Sequence, residues 1–442
     1  MRKIRGISPP HNKHTNCSEV RRLPTPAEVH IPMKMHSGKP AVPVVKVGDD
    51  VKVGQLIGEM GGYVSSPIHA SVSGCVTKIN DNDPVTGQKA MSITIAADGL
   101  NTLSPDIKKP VVRTLQEFYD AVRDSGAVGL GGAGYPAAPK LAIKNLEDLD
   151  YMLINGAECE PYVTADTNTM VADAKHVYLG VKLLLEYMMP KKVCICIEDN
   201  KPEAIKTMRE TFANEDNVEV CVLPTLYPQG ERKVLVYNIT GRIVPEGARL
   251  ADVGVIVTNV TTVAVFARYI ACGLPLIKKV VTVDGPAVNN PSNVLAPIGT
   301  PIRELFDFCG GFKSEPRKIV MGGSMMGIAQ PSLDVPVIKT TNCLIACSDI
   351  SVVMPKQTAC IKCGRCLAVC PMSLMPLNFE TAYTTRNLEM LKHFKVDMCT
   401  ECGSCAYVCP ATRQLVQAVQ LSKELLWLEK RAQTTSEQKE VK

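Results

Sequence analysis

Two cysteine runs are the residues in this chain whose type and spacing most directly imply chemistry. The first reads Cys360-Ile-Lys-Cys363-Gly-Arg-Cys366-Leu-Ala-Val-Cys370-Pro371, the second Cys399-Thr-Glu-Cys402-Gly-Ser-Cys405-Ala-Tyr-Val-Cys409-Pro410. In such a run three thiolates wrap one corner of an iron–sulfur cubane, and a fourth cysteine, one helical turn on and followed by proline, reaches the other cubane. The pattern assigns Cys360, Cys363, Cys366 and Cys409 to one [4Fe–4S] cluster, and Cys399, Cys402, Cys405 and Cys370 to a second. Paired Cys-x-x-Cys also suits tetrahedral zinc, but zinc needs four ligands per ion, not two triplets with crossed fourth ligands. Iron and acid-labile sulfide at about eight each per chain is the expected analysis; stoichiometric zinc overturns it.

A second constellation is rich in glycine. Gly129-Leu-Gly131-Gly132-Ala-Gly134-Tyr135-Pro136 follows an amphipathic helical stretch, Leu115 to Val122. Such glycines let the backbone approach a ligand and present N–H groups to phosphate. The loop lacks the Lys-Ser/Thr of a phosphate-binding P-loop and follows no clear strand, so alone it reads equally as a turn. Three further loops tip the balance: Asn155-Gly-Ala-Glu158-Cys159-Glu160-Pro161, Tyr227-Pro-Gln-Gly230-Glu231-Arg232, and Thr258-Asn259-Val-Thr-Thr262. The first and last follow strands, at the carboxyl ends where open α/β sheets bind ligands. Cys159 has no histidine near it in sequence and reads as a packed thiol rather than a nucleophile.

The elements that must carry these loops alternate. Tyr151 to Ile154, Val193 to Ile197, Val218 to Leu223 and Val253 to Thr258 are short apolar runs, and helical stretches lie around Ala174 to Met188, Glu203 to Phe212 and Thr262 to Cys272. Alternating strand and helix predicts a mostly parallel sheet with helices on its faces. The expected organisation is multidomain, α/β plus β. An extended arm (1–38) precedes a small β module (39–105), the α/β domain (110–277), a second β module (278–350), the two-cluster helical domain (355–430) and a disordered polar tail (431–442). In the carboxyl-terminal helix Ala418, Leu421, Leu425 and Leu428 share a face and read as core; were it a docking face, Leu425→Asp would abolish complex assembly. Cys343 and Cys347 lack further ligands nearby and read as buried thiols.

Charge and hydropathy exclude several classes. With 49 basic against 44 acidic residues the net charge is only +5, and no clustered basic face marks a nucleic-acid binder. The start, Met1 to Pro10, has no apolar core or cleavage site and reads as no secretory signal, so the chain is expected in the cytoplasm. Val253 to Ile277 is apolar but broken by Asn259, Arg268, Gly273 and Pro275, a buried strand plus helix rather than a membrane span. Membrane association is therefore expected through a partner.

The motifs carry resemblances. The first β module, with Gly61-Gly62 and Ser66 to Thr77, resembles the lipoyl/biotinyl carrier barrel; its hairpin Glu59-Met-Gly-Gly-Tyr-Val-Ser65 has no lysine to carry a prosthetic group, so a structural module is implied. The second, with Val280 to Gly285, Ile298 to Phe306 and Lys318 to Gly323, resembles the soluble-ligand-binding β-grasp module. The glycine and acidic loops resemble the Rossmann-like flavin site of the NADH-oxidising subunit of respiratory complex I. That resemblance implies that Gly129, Gly131, Gly132 and Gly134 line FMN and the nucleotide, that Lys140 meets a phosphate of NAD(H), and that Tyr135 stacks on its adenine. Asn155, Glu158, Gly230, Glu231, Asn259 and Thr262 would surround FMN, with Glu160 near the nicotinamide. The chain departs from that relative at Leu130 and Ala157, where the relative has arginine and an acidic residue.

Taken in order, the arm with Gly6-Ile-Ser-Pro-Pro-His-Asn-Lys13, the modules, Asn155 to Pro161, Asp199-Asn-Lys-Pro202 and the dicluster domain resemble the C subunit of the Rnf ion-translocating electron-transport complex. The resemblance implies a peripheral subunit on the cytoplasmic face of the membrane, docked on other subunits that include a ferredoxin-accepting iron–sulfur subunit. It implies hydride exchange between NAD(H) and non-covalent FMN, with two [4Fe–4S] clusters relaying single electrons and no side chain needed as general acid or base. The alternatives are a cobalamin-reductase flavoprotein of propanediol-degrading microcompartments, which shares these modules, and a non-catalytic electron-transfer adaptor.

Overall fold

The computed structural model describes residues 4–16, 18–81, 90–348 and 356–440, with side chains to 433. Cys17 and the domain limits expected at 350, 355 and 442 lie outside these. The chain forms two units. One gathers Met1–Pro10, Thr225–Ala248 and Val353–Lys442; the other comprises His11–Pro224 and Arg249–Val352.

At the centre of the larger unit is a four-stranded sheet in the order Val218–Leu223, Lys192–Glu198, Tyr151–Asn155, Val255–Asn259, every pair parallel. The inner strands are near-continuous apolar runs because helices cover parallel sheets: Met152, Leu153, Ile154, Val193, Ile195 and Ile197 are fully buried. The helix Leu115–Asp124 begins at a capping box of Thr114 and Glu117 and seats Phe118 against Tyr187, 5.2 Å between ring centroids. The chain leaves Tyr151–Asn155 for Lys192–Glu198 on one side and returns to Val255–Asn259 on the other. The carboxyl ends of Tyr151–Asn155 and Val255–Asn259 thus frame the crevice where the strand order reverses, the usual ligand position in such sheets.

Two β modules flank this sheet in sequence. In the first, Glu28–Pro32, Ser92–Ala97, Gly74–Asn80 and Asp50–Val51 form one small sheet, and Val42–Pro43, Leu56–Glu59 and Ile68–His69 another, burying Val29, Ile31, Ile57, Ile68, Val76, Ile93 and Ile95. In the second, a mixed six-stranded sheet runs Val20–Arg22, Ser292–Pro297, Lys278–Asp284, Cys343–Cys347, Lys318–Met321, Ile328–Ala329, with the helix Ile302–Phe308 packed on its own core of Val281, Val283, Leu305 and Phe306.

Three expectations change. The segment read as an extended arm supplies a strand to each β module, Val20–Arg22 parallel to Ser292–Pro297 and Glu28–Pro32 antiparallel to Ser92–Ala97. Val253 lies not in a strand but in a 3-10 turn, Leu250–Val253, ended by Gly254. In the smaller unit the helix Leu415–Glu440 runs through the segment read as a disordered tail. Its buried face is Leu415, Ala418, Val419, Ser422 and Leu426, whereas Leu428 is 48% exposed and Leu421 and Leu425 are only partly covered. That face packs with Phe379, Ala382, Leu391 and Val396 from the helices Pro376–Thr384 and Leu388–His393 and the turn after them.

Candidate functional site

The cysteine runs fold as a structural repeat. Each has a short helix after its second cysteine, Arg365–Ala368 and Ser404–Tyr407, and left-handed residues at matching places: Lys362, Gly364 and Ser373 in one, Glu401, Gly403 and Thr412 in the other. These turns curl the backbone so that amides face sulfur. Lys362 N donates to Cys360 Sγ at 3.3 Å, Glu401 N to Cys399 Sγ at 3.4 Å and Leu374 N to Cys370 Sγ at 3.3 Å. Such N–H to sulfur bonds orient metal-binding thiolates and stabilise their charge.

Electrostatic neighbourhoods sort the thiols into two groups. Cys366 feels Cys409 and Cys363, and Arg413 feels both Cys360 and Cys409. Cys405 feels Cys399, Cys402 and Cys370. The fourth thiol of each run thus lies in the electrostatic neighbourhood of the other run. All eight are free, and burial holds Cys366, Cys370, Cys399 and Cys405 above the usual thiol range, Cys399 at about 11. A bound cation reverses that bias, because it is the thiolate that ligates. Among the described residues no three of these eight sulfurs lie within 4.8 Å of one another. The all-sulfur donor set, in two groups of four, fits iron–sulfur ligation.

The glycine loop docks on the crevice of the parallel sheet. Asn155 and Asn259 are register partners at the ends of adjacent strands. Asn259 caps the helix Val260–Cys272 by accepting from Thr262 N at 3.1 Å, and its Nδ2 donates to Asp166 Oδ2 at 2.7 Å. Leu130 N donates to Thr262 Oγ1 at 3.0 Å, and that hydroxyl donates to Val128 O at 2.8 Å. A Cβ on Gly131 would sit 2.9 Å from Asn259 Nδ2, so this close approach needs glycine. With Gly129 and Gly134 amides bonded inside the loop, residues 131–133 are left exposed at its tip. A bare backbone tip over a strand-end crevice fits a flavin phosphate or ring edge. Tyr135, 36% exposed, and Lys140, in the short helix Ala137–Leu141, follow directly.

The acidic loop is held by groups that sequence patterns do not single out. Lys13 Nζ donates to the carbonyls of Glu158, Glu160 and Val163 at 3.0, 3.0 and 2.5 Å. The Glu158 carboxylate accepts from Asp166 N, Thr167 N and Thr167 Oγ1, closing the start of the helix Ala165–Ala172. Burial pushes Glu158 up and Lys13 down from their ordinary values, each charge partly restoring the other. Glu160 accepts from Met325 N and Met326 N at 3.0 and 3.1 Å, which ties it to the turn after Lys318–Met321. Lys279, driven down to about 7 by burial, donates to Leu130 O at 2.7 Å.

Gly230 and Glu231 belong to the other unit, where Glu231 caps the helix Arg232–Thr240 through Lys233 N and Val234 N, its pKa raised by burial. Beside them Gln229 is fully buried, and among the described residues neither of its amide atoms has a hydrogen-bond partner. Cys159 is half-buried; Cys343 is buried and Cys347 half-buried on one strand.

Family models match along the chain: the RnfC barrel sandwich hybrid domain at residues 2–100, the Nuo51 FMN-binding domain at 122–268, the SLBB domain at 280–329 and a 4Fe–4S dicluster domain at 359–412. The chain is 42% identical over 389 residues to the C subunit of a Na(+)-translocating ferredoxin:NAD(+) oxidoreductase complex of Acetobacterium woodii, covering 87% of each. It is 41% identical over 377 residues to a proton-translocating counterpart of Clostridium ljungdahlii, covering 84% of this chain and 82% of that one. It is 37% identical to the C subunit of an ion-translocating oxidoreductase complex of Rhodobacter capsulatus, covering 87% and 75%. In fold alone it is similar to a chain of an NAD+-reducing [NiFe]-hydrogenase, with a TM-score of 0.51 at 15% identity, covering 70% of this chain and 63% of that one. Among the described residues no helix is long and apolar enough to cross a membrane. A dicluster domain, an FMN-binding domain and extended identity to named subunits converge on one conclusion: the chain belongs to the family of C subunits of the Rnf ion-translocating ferredoxin:NAD oxidoreductase complex.

Proposed function

We propose that the chain is the NADH-oxidising, FMN- and iron–sulfur-bearing subunit of a membrane electron-transport complex that couples ferredoxin/NAD redox chemistry to ion translocation. The observation that carries this reading is the docking of the glycine loop on Asn259 and Thr262 at the reversal point of the parallel sheet, in a chain whose motif thiols sort into two electrostatic neighbourhoods. FMN supplies the exchange between the two-electron hydride of NAD(H) and one-electron steps at two [4Fe–4S] clusters. The chain's residues supply placement. Gly129, Gly131, Gly132 and Gly134 keep side chains away from the flavin, and Asn155, Asn259 and Thr262 fix the floor beneath it. Glu158 orders the acidic loop, Lys140 meets a nucleotide phosphate, Tyr135 stacks on the adenine and Glu160 borders the nicotinamide. Cys360, Cys363, Cys366 and Cys409 ligate one cluster; Cys399, Cys402, Cys405 and Cys370 ligate the other. The first β module is a lipoyl-like barrel without a carrier lysine, the α/β domain is Rossmann-like, and the second β module is a β-grasp. The subunit sits at the cytoplasmic face, held by partner subunits that include a ferredoxin-accepting iron–sulfur protein.

The test is anaerobic purification with assay of acid-released flavin, iron and NADH-dependent reduction of a one-electron dye. About one flavin and about eight iron per chain are expected, with Gly131→Val losing the flavin and the dye activity while keeping the iron. Protein that holds no flavin and reduces no dye with NADH removes the enzymatic reading.

A further inference from the structure

Away from both sites, one face of the parallel sheet collects soft ligands. Cys194 and Cys196 lie two residues apart on Lys192–Glu198 and so project from the same face. The neighbouring strand Val218–Leu223 sets Glu219 opposite Cys194 and Cys221 opposite Cys196. The ligand atoms of Cys194, Glu219 and Cys221 lie within 4.8 Å of one another, a convergence that the eight motif thiols do not show. Cys196 Sγ donates to Cys194 O at 3.5 Å. Burial falls off across the group: Cys194 and Cys196 are 1% and 0% exposed, Cys221 is half-buried and Glu219 is open to solvent on the edge strand. An ion can therefore enter from the edge.

Small thiols often simply fill a core. Packing does not call for a carboxylate converging on two of them, and a single tetrahedral ion needs that short mutual reach. We propose that Cys194, Cys221 and Glu219 form a binding site for a soft divalent cation of the zinc class, with water as fourth ligand and Cys196 opposite Cys221 in the strand register. Binding releases the ligating thiols' protons to solvent and transfers no electron. Two thiolates and a carboxylate around a doubly charged ion leave one net negative charge, which the Lys192 ammonium, 2.5 Å from Glu219, offsets. Cys196 O also accepts from Gly156 N at 2.9 Å, so the ion braces a strand pair to which the start of the Asn155 to Pro161 loop is hydrogen-bonded.

The probe is zinc chloride, added to full-length protein carrying its clusters, followed by passage over a weak chelator and joint analysis of zinc, iron and sulfide. About one retained zinc per chain is expected, with two sulfurs at about 2.3 Å and oxygen-type ligands in zinc-edge X-ray absorption. Cys221→Ala and the surface change Glu219→Gln should each weaken retention at least about tenfold with iron unchanged. The proposal falls if no zinc is retained, if both variants keep it equally, if zinc is gained only as iron is lost, or if mass mapping finds a Cys194–Cys221 disulfide in the zinc-treated protein.

Discussion

The two groups of motif cysteines share a backbone pattern and differ in what surrounds them. Cys370, Cys399, Cys402 and Cys405 line a hollow walled by Leu374, Pro376, Phe379, Val416 and Val419. Cys370 and Cys402 are 7% and 8% exposed there. In the other group Cys363 is exposed and Ile361, two residues before it, is 66% exposed. Ligand spacing determines what each group binds; the apolar packing around it determines what can reach it. The helix Leu415–Glu440 supplies that packing to one group through Val416 and Val419. The open group is thus the one a partner protein, an oxidant or a chelator meets first, and single-electron exchange with a partner fits that side.

The comparison can be broken in several ways. On the proposed ligation the largest effect is expected from Cys402→Ala, which should halve the iron and lower the melting temperature by more than about 5 °C, since a cluster held there would also tie helices together. Cys363→Ala should halve the iron with a clearly smaller shift; equal shifts would mean that enclosure adds no stability. Next, Phe379→Ala removes a wall of the closed hollow and should cost about 3 kcal/mol in denaturant unfolding, with the enclosed cluster then lost to chelator faster than in wild type. A third measurement needs no variant: iron release to a strong chelator should be biphasic, the first half leaving at least about tenfold faster, and Cys363→Ala should abolish the fast phase alone. The smallest effect is expected at Leu428, whose substitution by aspartate, Leu428→Asp, should change stability by less than about 0.5 kcal/mol because the side chain is already half exposed. A subunit-assembly defect in that soluble, fully loaded variant would assign the exposed face of the helix to a partner.

Much of this is legible in the sequence, and the exceptions share a cause. Runs such as Val218 to Leu223 announce strands because they are apolar and bounded by turns, and the cysteine spacing announces a repeated backbone motif, with left-handed residues at matching places. What escapes is long-range pairing. Val20–Arg22 is short and polar and becomes a strand only against Ser292–Pro297. Lys13 ends the amino-terminal motif, yet its three carbonyl partners lie about Glu158 to Val163 and no local pattern predicts them. The carboxyl-terminal helix reads one step out of phase because Ser422 is fully buried, its hydroxyl donating to Ala418 O at 2.6 Å, where a count of apolar residues sees a polar position.

The proposed crossing of fourth ligands also sets a timetable. Chains emerge from the ribosome amino terminus first. On the proposed pairing, the enclosed site owns all four ligands once Cys405 has been made, while the open site must wait for Cys409. A nascent or truncated chain ending at Tyr407 could thus load the enclosed cluster alone, although Cys360, Cys363 and Cys366 were synthesised first. The unit that holds both cysteine runs also recruits Ile7, whose backbone exchanges hydrogen bonds of 2.9 Å in both directions with Tyr227. Its earliest-made segment therefore waits longest for its surroundings, which makes metal loading a late event in the life of the polypeptide.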